Sequence, residues 1–125
     1  MIEITVIVDA RLHAHAKGNS HWAKSAPTKA LRQLAYLLAC NQPKIKGHAV
    51  LDVLFIVPDR RRRDVLNMAQ SIKPAIDGVV ECGGIEGDHW EVLSVGELKV
   101  AVVKGQEQVE AILTFYPEPP FCPSE

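Results

Sequence analysis

Ala49–Val57 (AVLDVLFIV) runs directly into Pro58–Asp64 (PDRRRRD), and the join between these two segments decides the fold. The first is an apolar, β-branched run with Asp52 as its one charge, which reads as a strand. The second starts where that strand stops. Arginines at a strand end, on a loop leading into a helix, sit at the rim of a sheet where a ligand can approach. Four consecutive arginines repel one another unless something anionic lies over them. The carboxylate that ends the run is a group that a divalent cation seeks beside phosphate.

Downstream, Asp64 to about Val80 is a helix. Val65, Met68, Ala69, Ile72, Ile76, Val79 and Val80 make one apolar stripe on a 100° wheel, and the stripe should face a core. Pro74 lies inside the pattern and kinks the helix or splits it in two. Gly83-Gly84 and Gly87 punctuate the return. Trp90–Val95 and Leu98–Val103 read as strands joined as a hairpin around Gly96-Glu97, and Val109–Tyr116 as a last strand. Residues 117–125, with prolines at 117, 119, 120 and 123, form an irregular tail.

Upstream, Ile2–Val8 (IEITVIV) suits a strand buried on both faces or nearly so. Asp9–Ser25 has no period of either kind and reads as a long loop carrying Arg11, His13, His15, Lys17, His21, Trp22 and Lys24. Ser25 or Thr28 then caps a helix to about Cys40, with Leu31, Leu34, Ala35, Leu38 and Ala39 at helical spacing. The fold expected is a single α+β domain over residues 1–125: a small mixed sheet of about four to five strands packed by two main helices.

The formal net charge is -1, but residues 1–63 carry 11 Lys and Arg against 4 Asp and Glu, and residues 64–125 carry 3 against 11. Segregation of this kind gives either one basic face or internal neutralisation. Cys40, Cys82 and Cys122 are odd in number and contain no CxxC pair, which argues against a disulfide framework or a zinc ribbon. They read as reduced thiols of a cytoplasmic protein. No apolar run reaches the 18 or so residues of a membrane span.

Asp64 and Asp88 can share a site on chain geometry. A helix of about 16 residues climbs roughly 24 Å, and eight extended residues from Glu81 to Asp88 travel back about as far. Two carboxylates at a helix start beside arginines need compensating charge, which Mg²⁺ or Mn²⁺ with phosphate supplies. The structural alternative makes Asp64 a helix N-cap and Asp88 a turn residue.

Val57-Pro-Asp-Arg-Arg-Arg-Arg-Asp64, then Asn67, then Lys73-Pro-Ala-Ile-Asp77-Gly78-Val79, then a glycine-rich turn into Asp88, resembles the RusA family of Holliday junction resolvases. The specific match covers roughly residues 56–92. The resemblance implies a RusA-like homodimer that binds four-way DNA junctions and, with Mg²⁺, nicks two strands symmetrically. Asp64 and Asp88 match the family's first and last metal-holding acids, and Asn67 its asparagine. Lys73 matches the family's lysine through the spacing to Asp77 if three residues are inserted; without a gap that place is Gln70. The family's second acid falls on Leu66, which ligates nothing.

On the resemblance Asp64 and Asp88 bind the metal, Lys73 neutralises charge on the phosphorane, and Asn67, Asp59 or Glu86 completes the coordination. Arg60, Arg61, Arg62 and Arg63, with Asn67, Lys17 and Lys24, hold the DNA backbone. The rival reading is a junction-binding relative that has lost catalysis through Leu66. A histidine-based transition-metal site has only the spacing of His13 and His15 behind it.

Overall fold

The computed structural model describes residues 1–8 and 21–118, with the backbone alone described for 21–26. Seven elements follow one another: β1 (Ile2–Val8), α1 (His21–Cys40), β2 (Ala49–Val57), α2 (Val65–Ser71), α3 (Lys73–Glu81), β3 (Leu93–Val102) and β4 (Val109–Pro117). The strands form one mixed sheet in the order β1-β4-β2-β3. β4 is antiparallel to both β1 and β2, while β3 runs parallel to β2. A parallel pair cannot be joined by a tight turn, and α2 with α3 supplies the crossover. The α+β class expected from the pattern is the one observed.

One sheet face makes the core. Ile2, Ile4, Val6 and Val8 of β1, Ala49, Leu51, Val53, Phe55 and Val57 of β2, and Ala111, Leu113 and Phe115 of β4 are all buried. Leu31, Ala35 and Ala39 of α1 join them at four-residue spacing, with Met68 of α2 and Ala75 and Val79 of α3. α1 and α3 cross closely, and Gly78 is the reason they can. A Cβ there would lie 2.2 Å from the Arg32 carbonyl oxygen and 3.0 Å from the Tyr36 nitrogen.

Four sequence expectations need correction. β1 is an edge strand that alternates buried and exposed residues, so Glu3, Thr5 and Ile7 lie on an outer face and the strand is not buried on both sides. α1 starts at His21, inside the stretch read as loop, and accommodates Pro27. No hairpin forms at Gly96-Glu97. β3 is one continuous strand with a register shift opposite Asp52, whose Oδ1 accepts hydrogen bonds from the Glu97 N–H at 2.9 Å and the Tyr116 hydroxyl at 3.3 Å. A Cβ on Gly96 would sit 2.4 Å from that oxygen, so the bulge needs glycine. Finally, Pro117 closes β4 rather than opening the tail; residues 119–125 lie outside those described.

The helix read over 64–80 is two helices. Ile72 ends α2 and Pro74 lies in the first turn of α3, where a missing N–H costs nothing. Val65, expected in the core stripe, is half exposed.

Candidate functional site

The arginine run leaves the end of β2 as a short loop with an internal frame. Asp59 Oδ1 accepts the Arg61 backbone N–H at 3.0 Å, an Asx turn. Arg63 folds back over the same loop, its Nη1 donating to the carbonyls of Asp59 at 3.1 Å and Arg61 at 3.0 Å. Its side chain is only 9 % exposed. Nη2 stands 3.1 Å from Asp59 Oδ1, close enough to pair charges but without hydrogen-bond geometry, so the carbonyl contacts are what fix the guanidinium. The Arg61 N–H, and after it Arg63, hold the Asp59 carboxyl below its usual range.

The four arginines therefore divide. Arg63 is a largely covered brace, while Arg60, Arg61 and Arg62 are exposed. Among the described residues no carboxylate forms a salt bridge with those three. Arg61 and Arg63 also line a cavity of about 640 Å³ with Val8, Leu31, Leu34 and Glu107. None of the acids assigned to metal lies in its wall. Lys17 lies outside the described residues, as does the side chain of Lys24.

Asp64 follows immediately and caps α2. Its Oδ1 accepts the N–H groups of Leu66 at 2.8 Å and Asn67 at 3.3 Å, satisfying two of the donors a helix start leaves open. Asn67 is half buried on that first turn. Leu66, where the RusA pattern has an acid, is 74 % exposed. An apolar side chain that far out of the core contributes nothing to packing and offers no oxygen.

Asp88 has a different partner. The Gly83–Gly87 segment coils in turns instead of extending, tied by Gly84 to Val79 and by Ile45 to Gly84 through backbone bonds of 3.0 and 2.8 Å. Ile85 is buried beneath it. A coiled return brings Asp88 to the first turn of α3, where Lys73 Nζ donates to both Asp77 Oδ1 and Asp88 Oδ2. Asp64 caps the start of α2, while Lys73 opens α3 beyond the other end of that helix. The Lys73 hydrogen bond draws the Asp88 carboxyl below its usual range. Partial burial works against the charge on Lys73, but its two carboxylate partners outweigh that and hold the ammonium above its usual value.

The acids assigned to Mg²⁺ face different partners, Asp64 the first turn of α2 and Asp88 the Lys73 ammonium. Among the described residues no three His, Cys, Asp or Glu side chains group to hold a metal. Asp59, one proposed substitute ligand, is spent on the arginine loop. The structure does unite the lysine and the last acid of the resemblance.

One cluster had no signal in the sequence. His48, just before β2, has Nδ1 3.1 Å from the Glu91 carbonyl and Nε2 2.6 Å from Ser94 Oγ and 3.2 Å from Glu118 Oε2. A carbonyl only accepts, so at the Glu91 contact Nδ1 is the donor. His48 lies 43 and 46 positions from Glu91 and Ser94, and nothing local announces the contact; the cluster ties together the starts of β2 and β3 and the end of β4.

A search of family models and of curated proteins finds no match to this chain. No helix among the described residues is long and apolar enough to cross a membrane.

Proposed function

We propose that this protein binds the phosphate backbone of branched DNA, four-way junctions foremost, through Arg60, Arg61 and Arg62, as a RusA-like homodimer that lacks a finished metal centre. The observation that carries the reading is the arginine loop. Three exposed guanidinium groups project from a turn stiffened by Asp59 and by the largely covered Arg63, with no acidic partner among the described residues. Planar guanidinium donors grip phosphate bidentately and do so without reading bases. A rigid loop spends little conformational entropy when it docks. A two-fold dimer matches a four-way junction, since each copy then meets an equivalent pair of arms.

Phosphodiester hydrolysis is the second reading, favoured by the contact between Lys73 and Asp88, the lysine and last acid of the resemblance. One assay separates the two. A synthetic four-way junction and a linear duplex of the same length are incubated with the protein, and both mobility shift and strand nicks are scored in Mg²⁺ and in Mn²⁺. Salt-sensitive retention of the junction without nicks is the expected outcome. Symmetric nicks lost in Asp88→Asn establish hydrolysis, and no preference for the junction over duplex overturns the proposal.

A further inference from the structure

Lys73 is the one cation of the acid cluster, and it is unusually placed. It opens α3, the end of a helix where positive charge is disfavoured by the dipole, so it gains nothing from its position in the helix itself. What it gains is two carboxylates from different segments, Asp77 one turn along α3 and Asp88 on the returning turn, both drawn onto a single nitrogen. Two carboxylates sharing one point repel unless a cation sits between them. An ammonium group is a compact point charge with three donors, and two are used here.

We propose that Lys73 takes the place of a divalent cation between Asp77 and Asp88, closing the acid cluster with the chain's own ammonium so that DNA is held without Mg²⁺. The inference rests on reading residues 58–88 as the counterpart of a metal-dependent nuclease centre. Buried neighbours fix the lysine: Pro74 and Ala75, next along the helix, are in the core, so the Lys73 backbone cannot swing away. The contact favours the charged forms of Lys73 and Asp88. Mg²⁺ entering this pair would have to shed tightly held water and expel a cation already in place. Asp64 uses Oδ1 to cap α2, and Leu66 stands where a further acid would help.

The test is Mn²⁺ binding by the full chain, followed by loss of the free-ion electron paramagnetic resonance signal. Wild type and Lys73→Arg should take up no Mn²⁺ at roughly millimolar concentration, the weak end of carboxylate sites. Lys73→Met should bind one ion per chain with affinity raised about tenfold or more, the scale of removing one adjacent charge. Adding Asp88→Asn to Lys73→Met should abolish that uptake. Wild-type uptake that Asp88→Asn removes overturns the proposal, as does a folded Lys73→Met protein, judged by circular dichroism, that binds no better than wild type. Should Lys73→Met not fold, wild type beside Asp88→Asn decides alone: no uptake supports the closed cluster, and uptake lost in the variant refutes it. Junction binding is measured separately in chelator; its failure would sink the proposed function and leave the Mn²⁺ result standing.

Discussion

The arginine loop at 58–63 and the acid cluster of Lys73, Asp77 and Asp88 are both built from charges, yet they treat those charges in opposite ways. In the loop one arginine is sacrificed as a brace and Asp59 is engaged by the loop's own backbone, which leaves three cations facing solvent. In the cluster the single cation is shared by two acids and nothing is left over. A region that keeps unpaired like charge is poised for a partner of opposite sign; one that neutralises itself is not. The difference teaches that a motif's letters do not fix its role: the same stretch leaves one group of charges unpaired and closes another on itself.

The largest effect should come from emptying the loop. Replacing Arg60, Arg61 and Arg62 together by alanine should lower the salt slope of DNA binding by about three, one per lost phosphate contact. Fluorescence anisotropy across a salt series checks this, and an unchanged slope would move the binding face elsewhere. Arg63→Ala sharpens the division within the run. It should cost about 1–3 kcal/mol of stability in urea, because two carbonyls and Asp59 lose a largely covered partner, and the salt slope of the remaining fold should barely change. A variant as stable as wild type would show that the brace is idle.

Asp64→Ala removes a cap and should cost about 1 kcal/mol, with Asp64→Asn or Asp64→Ser recovering most of it. A requirement for the carboxylate itself would break the view that this acid serves α2. The smallest effect belongs to Lys73→Met, whose exposed pairs contribute less than about 1 kcal/mol. Its signature is in titration. The Asp88 carboxyl, held below 3.8, should rise toward that value once the lysine is gone, as read by carbon-13 shifts against pH. The sign follows from linkage. With its folded value depressed, Asp88 stabilises the fold above the unfolded carboxylate range and loses that contribution as pH falls through the folded value. Wild type should therefore lose slightly more stability than Lys73→Met on acidification below 3.8.

Much of the architecture was legible because it is written in local periods. β2, β4 and the helix stripe around Met68, Ile72 and Val79 follow from alternation or 3.6-residue spacing, and Pro74 announced the break between α2 and α3. The misreadings came from partners far along the chain. Gly96-Glu97 has the composition of a turn, but Asp52, 45 residues earlier than Glu97, captures its N–H and makes a bulge. β1 looked two-sided because Ile7 is apolar, although Glu3 and Thr5 already marked an outer face. In the site, the N-cap at Asp64 and the pairing of Lys73 with Asp77 were readable from spacing. Nothing in four identical letters distinguishes Arg63 from its neighbours; only the path of the loop covers it. The return of Asp88 to Lys73 depended on whether residues 81–88 extend or coil, and the backbone bonds of Gly84 decide that.

One measurement bears on both regions at once: the affinity of the protein for a synthetic four-way junction in chelator and again in millimolar Mg²⁺, at matched ionic strength. An open arginine loop beside a closed acid cluster should bind the junction equally well in both, with a steep salt dependence. Binding that appears only when Mg²⁺ is added would mean that the acids, not the arginines, organise the DNA site, and would contradict the division drawn between the two regions.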